Sequence, residues 1–127
     1  PLVKLDYSFL RLAILDIIIN NADRKAGHIL RDRQHNIWGI DNGLSFHTER
    51  KLRTVIWDYS GLEIPATWSA DLENVHTLIT DSTSGRQIFS MLSESEISAM
   101  LDRIKNLIKV GTLPEMFYER CVPWPLI

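Results

Sequence analysis

Four side chains that can carry acid–base, phosphate or metal chemistry lie in two short runs of this chain. Asp23, Lys25 and His28 fall within one six-residue run, and Asp41 follows 18 positions after Asp23. A carboxylate can orient a hydroxyl and accept its proton, and a lysine can contact a phosphate. Carboxylate and imidazole groups can bind a divalent cation. If folding brings the two runs together, they make a metal and phosphate site.

The element that must hold the first run is a strongly apolar helix. Apolar residues crowd nearly every face towards the end of the stretch 5–19, which is typical of a central, buried helix. Asn20 and Asn21 are poor helix formers, so we expect the helix to end there and both side chains to stabilise the loop. Residues 20–28 then form a loop on a rigid element, a common setting for chemistry.

A hairpin is predicted between the two runs. Residues 29–30 and 37–40 are short β-like segments on either side of a polar turn, and this pattern is typical of a β-hairpin. The hairpin returns Asp41 towards the loop that contains Asp23. The pair Asn42-Gly43 then indicates a turn, in which a glycine can adopt a positive φ at little cost.

The rest of the chain is predicted to be mainly helical. Residues 44–65 are irregular, and helical spacing of apolar residues resumes at Ala66. Ser93 and Glu96 form a capping-box pattern at the start of the most regular helix, which should end at Gly111.

Composition excludes several classes of protein. The chain has 127 residues, 45% hydrophobic and 24% charged, with a formal net charge of −2, so no basic excess indicates a nucleic-acid partner. The single cysteine, Cys121, excludes a disulfide framework and a thiolate zinc cluster and favours a reducing, cytoplasmic setting. No apolar run is long enough for a transmembrane segment. Because the chain starts at Pro1 and runs almost at once into a helix, we expect a fragment of a longer protein.

The two runs resemble the phosphatidylinositol 3-/4-kinase-like family. Residues 16–25 read DIIINNADRK and residues 40–46 read IDNGLSF. The resemblance is closest to the type II phosphatidylinositol 4-kinases and their small bacterial relatives, which have an Asn-x-Asp-Arg loop and an Ile-Asp-Asn-Gly-Leu metal motif. It is specific over residues 14–46 and looser elsewhere. It implies that Asp23 is the catalytic-loop acid and that Asp41 binds the metal of the metal–nucleotide complex.

The resemblance also implies a fold and a reaction. The fold would be α+β, a mainly α-helical kinase-like C-terminal lobe over residues 1–127 with a short β-hairpin carrying the metal motif. The glycine-rich loop and ATP-anchoring lysine of an N-terminal lobe are absent. The full-length protein would be an ATP-dependent phosphotransferase using Mg²⁺ or Mn²⁺, whereas this fragment alone is expected to be inactive. In this reading Lys25 acts at the γ-phosphate, as a catalytic and nucleotide-binding residue.

One departure leaves two roles open. The family has a metal-binding Asn five residues after the acid, where this chain has His28. Because Mg²⁺ and Mn²⁺ are hard ions that prefer oxygen, His28 either binds Mn²⁺ or a softer ion or only hydrogen-bonds to a ligand. Lys25 likewise contacts phosphate or makes a surface ion pair. Arg24 is expected to tether the loop through a carboxylate or carbonyl.

Three other functions stay open at this stage. The phosphoryl acceptor could be a lipid or a protein Ser/Thr, since a fold does not fix a substrate. The chain could instead be a non-catalytic pseudokinase or interaction module in which His28 marks decayed metal binding. A weaker alternative is a metal-dependent phosphohydrolase that needs no N-terminal lobe.

Overall fold

The structure, a computed structural model, describes residues 6–115 and 121–127. This part of the chain is α+β, with most of its regular structure in helices and one two-stranded antiparallel sheet. The elements in chain order are α1 (Tyr7–Ile19), a 3₁₀ turn (Ala26–His28), β1 (Ile29–Arg31), β2 (Ile37–Gly39), α2 (Ala66–Asp81), α3 (Thr83–Ile88) and α4 (Glu94–Val110).

Helix α1 has a defined cap at each end. The Asp6 side chain accepts a hydrogen bond from the Ser8 N–H, which satisfies a backbone donor of the first turn. Asn20 ends the helix in the left-handed conformation, with φ of 55°, so the predicted stop is confirmed. The predicted start at Leu5 lies outside the described residues. Burial of α1 is less complete than its composition predicts, because Leu15 is 43% exposed.

The predicted hairpin is confirmed. In its register Ile29 faces Gly39 and Leu30 faces Trp38. At the tip the Asp32 carboxylate accepts hydrogen bonds from backbone N–H groups and from the indole N–H of Trp38 at 2.9 Å. These bonds lower the pKa of Asp32, the indole bond contributing most.

One hydrophobic core joins the helices. It takes buried side chains from α1, α2 and α4 and from the connecting segments: Leu10, Leu12, Ala13, Ile14, Ile56, Tyr59, Ile64, Leu72, Ile79, Ile97, Met100, Ile104, Leu107 and Leu113. Fully burying one such aliphatic side chain contributes about 1.5–3 kcal/mol. The predicted capping box of Ser93 and Glu96 starts α4, and Gly111 ends it with φ of 75°. The core therefore fixes α1, whose C-terminal end carries the candidate site.

Residues 44–65 contain no helix and no named strand, as predicted. Thr54 within them makes an isolated parallel bridge to Arg24, next to the candidate site. No helix within residues 6–115 and 121–127 is long and apolar enough to cross a membrane.

Candidate metal and phosphate site

A buried ion pair underlies the site. The Arg24 guanidinium contacts the Asp16 carboxylate through Nη2 to Oδ1 at 2.8 Å and through Nε to Oδ2 at 2.9 Å. Both side chains are 0% exposed. Burial raises the pKa of the Asp16 carboxyl, and the hydrogen bonds and charge of Arg24 oppose that rise. The pair matches one buried charge with another, which a buried ion requires.

The same guanidinium reaches the hairpin. Arg24 Nη1 donates to the carbonyl of Ile40 at 2.9 Å, and Nη2 donates to the side-chain oxygen of Asn42. One buried cation thus ties helix α1, the loop after it and the segment that follows β2. The tethering role predicted for Arg24 is confirmed.

Both asparagines after α1 hold the loop, as predicted. Asn21 donates to Asp16 Oδ1 at 3.1 Å, and its own Oδ1 accepts the Asp23 N–H at 2.9 Å. Asn20 donates to the carbonyls of His47 and Glu49 and accepts the N–H of Lys51 at 3.0 Å. Asn21 therefore orients the backbone at Asp23, while Asn20 fixes the chain segment beyond the hairpin.

His28 lies between the two predicted acids. Its Nδ1 is 2.8 Å from the carbonyl oxygen of Asp23, and its Nε2 is 3.4 Å from Oδ2 of Asp41. A carbonyl can only accept, so the short contact places the proton on Nδ1; the Lys25 N–H, 3.3 Å from the same nitrogen, is then a secondary contact. Nε2 of the neutral ring is left as an acceptor that faces a carboxylate. A second proton, a cation or a water that donates to both can satisfy these two acceptors.

The contact between His28 and Asp41 can be compared with the geometry of a metal site. The Nε2–Oδ2 distance of 3.4 Å is long for an N–H···O hydrogen bond. Two ligands that each lie about 2.1 Å from one ion are about 3.0 Å apart at the 90° angle of octahedral coordination, which Mg²⁺ requires, and about 3.4 Å apart at a tetrahedral angle of about 110°. The exposed Asp41 side chain would therefore have to move closer to His28 by about 0.4 Å to bind an octahedral ion. A histidine that ligates a metal commonly donates its other N–H to a carbonyl or carboxylate, as Nδ1 does here.

The protein offers two ligands here rather than a complete cage. Within the described residues no group of three or more His, Cys, Asp and Glu side chains is placed to hold a metal ion. Mg²⁺ commonly takes one or two protein ligands and completes its shell with waters and substrate phosphates. Asp41 is 69% exposed and His28 16% exposed, so a phosphate can approach from solvent.

Asp23 and Lys25 stand beside His28. The Lys25 Nζ is 3.9 Å from Asp23 Oδ1, at the outer limit of an ion pair, and the two side chains are 21% and 29% exposed. Such a long, partly exposed pair contributes little to stability, so Lys25 is available to another anion. The structure thus places the backbone of Asp23 and Lys25 against the His28 imidazole and that imidazole next to Asp41, while the side chains of Asp23 and Lys25 contact each other. None of the four lines either of two clefts in the described part, of about 420 and 360 Å³.

The turn at Asn42-Gly43 does not use the freedom of glycine to adopt a positive φ. The left-handed residue of this segment is Asp41, with φ of 56°. The carbonyl of Ile40 is held by Arg24 and its N–H by the carbonyl of His28 at 2.9 Å, so the chain has to turn at the next residue. Aspartate tolerates this conformation better than most residues.

Asp16 is the residue of the site that sequence reasoning missed, because it was given no role of its own within the run of residues 16–25. A single acid inside an otherwise apolar, buried helix requires a buried cation. Arg24, eight residues further on, is the base that supplies it. The need for a buried cation opposite Asp16 could have been inferred from the sequence.

The chain is similar to one protein named Rv2133c from Mycobacterium tuberculosis (strain ATCC 25618 / H37Rv). The two are 36% identical over 123 residues, which cover 94% of this chain and 43% of that protein. The chain therefore spans less than half the length of this curated relative. No family profile and no solved structure matches the chain.

Proposed function

We propose that the full-length protein is an ATP-dependent phosphotransferase of the phosphatidylinositol 3-/4-kinase-like type. Residues 1–127 would supply its C-terminal lobe, with the catalytic loop and the metal motif. The observation that carries the proposal is the pair of acceptors formed by His28 Nε2 and Asp41 Oδ2, 3.4 Å apart, with the other ring nitrogen bound to the Asp23 carbonyl.

Each residue has a role that follows from its contacts. His28 and Asp41 would hold Mn²⁺ or Mg²⁺, which would neutralise charge on the phosphates of ATP. Asp23 would orient the acceptor hydroxyl and take its proton. Lys25 would exchange its long contact with Asp23 for the transferred phosphate. Because Asp16 and Arg24 are fully buried, their role is to hold this geometry.

A binding experiment tests the metal site on this chain. We expect a calorimetric Mn²⁺ titration to show one site that is lost in His28→Ala and in Asp41→Asn. His76→Ala and Asp71→Asn are matched controls, since both residues lie on α2 and are away from the candidate site. Those two variants should bind Mn²⁺ like the parent chain. Equal binding by all five chains would refute the site.

A turnover experiment tests the activity in the full-length protein. Asp41→Asn should abolish ATP turnover, because it removes the charge on one of the two metal ligands proposed here. Asp23→Asn should abolish turnover but leave Mn²⁺ binding intact, because only the carbonyl of Asp23 contacts the metal-binding imidazole. Unchanged turnover in either variant would refute the assignment. The acceptor, lipid or protein, is then identified by the substrate that acquires phosphate.

A non-catalytic interaction module is the second candidate. The observation that favours it is that a second proton on His28 would satisfy the contact with Asp41 without any metal. Absence of Mn²⁺ binding by the parent chain, together with absence of turnover by the full-length protein, would support this candidate over the first.

A further inference from the structure

The C-terminal segment Cys121–Ile127, here called the tail, is anchored beside the candidate site. The carbonyl of Cys121 accepts two hydrogen bonds at 3.0 Å, from the Thr54 N–H and from the indole N–H of Trp57. Pro123 is fully buried. These contacts fix the start of the tail against the irregular segment, so the rest of the tail is held close to the loop.

The tail then contacts the 3₁₀ turn that carries His28. The Ala26 N–H donates to the carbonyl of Leu126 at 2.9 Å. The Cγ2 atom of Ile127 lies 4.0 Å from the position that a Cβ on Gly27 would occupy. Ala26 and Gly27 are the first two residues of the turn, and His28 is the third. The tail thus contacts the residues that set the direction of the imidazole.

A second route joins the tail to the same loop through the backbone around Thr54. Thr54 donates to the tail, while its neighbours bond to Arg24: the Arg24 N–H donates to the Arg53 carbonyl at 2.9 Å, and the Val55 N–H donates to the Arg24 carbonyl at 3.1 Å. This short strand-like piece therefore lies between the tail and the catalytic loop. The tail thus supports the loop at Ala26, the first residue of the 3₁₀ turn, and, through the backbone around Thr54, at Arg24 before it.

We infer that the tail is a positioning element for His28, an inference that rests on the metal site proposed above. A three-residue 3₁₀ turn has few hydrogen bonds of its own; here the His28 N–H donates to the Lys25 carbonyl at 3.1 Å. The Ala26 N–H belongs to the first turn, where a donor finds no partner inside the helix. Leu126 supplies that partner from outside and limits rotation of the turn.

Ala26→Pro tests the inference by removing the backbone N–H of residue 26. Proline lacks the N–H that bonds to Leu126 but suits the first position of a helical turn. The preceding Lys25 has φ of −91° and ψ of 162°, a conformation that proline favours in the residue before it. Ala66→Pro is the matched control: it makes the same change at the first position of α2, after Pro65 with ψ of 138°.

A second variant removes the acceptor instead of the donor. Deletion of Leu126 and Ile127 takes away the carbonyl that Ala26 contacts, together with the side chain next to Gly27. If both changes act through one hydrogen bond, combining them should weaken Mn²⁺ binding no more than the stronger of the two does alone. Additive losses would overturn the inference.

Two readouts separate this inference from the proposed function. The first is the dissociation constant for Mn²⁺, which we expect to rise roughly 3- to 10-fold in Ala26→Pro and in the deletion but not in Ala66→Pro. The second is the pair of ¹⁵N shifts of the His28 imidazole without metal, which report the fraction of rings with the proton on Nδ1. We expect that fraction to fall in the same two variants.

The outcomes are distinct. Parent-like Mn²⁺ affinity and parent-like imidazole shifts in Ala26→Pro would overturn the positioning role and leave the metal site standing. If the parent chain binds no Mn²⁺, the metal site fails, and the imidazole shifts alone decide the role of the tail. Shifts that change in Ala26→Pro but not in Ala66→Pro would then support it, and unchanged shifts would overturn it.

Discussion

Replacing Asp16 by Asn should cost the fold more than most single substitutions do. Arg24 makes three hydrogen bonds to this carboxylate, between 2.8 and 3.1 Å, and both side chains are 0% exposed. Removal of one charge leaves the guanidinium buried without a counter-ion, and breaking such pairs costs about 3–5 kcal/mol. Asn keeps the shape and one acceptor, so we expect a loss of about 3 kcal/mol, at the lower end of that range.

Urea unfolding at neutral pH, followed by tryptophan fluorescence and circular dichroism, measures this loss. The midpoint should fall while the slope of the free energy of unfolding against urea stays constant. Asp71→Asn makes the same chemical change on the surface of α2 and should alter the free energy of unfolding by no more than about 0.5 kcal/mol. A loss below about 1 kcal/mol in Asp16→Asn would refute the claim that the buried pair holds the loop.

The double variant Asp16→Leu with Arg24→Met separates stability from site geometry. Replacing a buried ion pair by apolar residues of similar size is often neutral for stability or better. We therefore expect the double variant to be more stable than Asp16→Asn. Because its Met cannot donate to Ile40 or Asn42, it should still lose Mn²⁺ binding. Retained Mn²⁺ binding would contradict the role given to Arg24.

Two further predictions concern packing and pH. Gly39→Ala would place a Cβ 2.7 Å from Leu12 Cδ1 and should lower the free energy of unfolding by about 1–3 kcal/mol through overpacking. Gly43→Ala, where a Cβ would meet nothing within 4 Å, should lower it much less. Equal losses of stability in thermal unfolding would contradict this. Hydrogen bonds from Ser93 lower the pKa of Glu96 from its ordinary 4.5, so its charge stabilises the fold above that pH, and the benefit is lost as the pH falls through the folded-state pKa. The stability difference between the parent chain and Glu96→Gln should therefore shrink on acidification, and a constant difference in urea unfolding would count against this assignment.

Local sequence patterns predicted the elements well. The chemistry that starts or stops a helix acts over a few residues. In the structure α1 stops at Asn20, and α4 starts at the box of Ser93 and Glu96 and stops at Gly111. The hairpin was predictable for the same reason. The return of Asp41 to the loop of Asp23 was also predictable, because a hairpin between them reverses the direction of the chain.

Contacts made over longer distances were harder to predict. Leu126 bonds to Ala26 across most of the chain, and no local pattern encodes that. The positive φ falls on Asp41 rather than Gly43 because Arg24 holds the Ile40 carbonyl. Propensity favours the glycine, but a tertiary hydrogen bond decides the position.

The backbone at position 41 also decides which substitutions can be interpreted. A left-handed φ of 56° is tolerated by Asp and Asn but strained for Ala, by roughly 1–2 kcal/mol. An alanine there would mix a conformational defect with the loss of a ligand, and a glycine would loosen the turn. Asparagine alone changes the charge while respecting the bend, so a scan that used only alanine would misjudge this position.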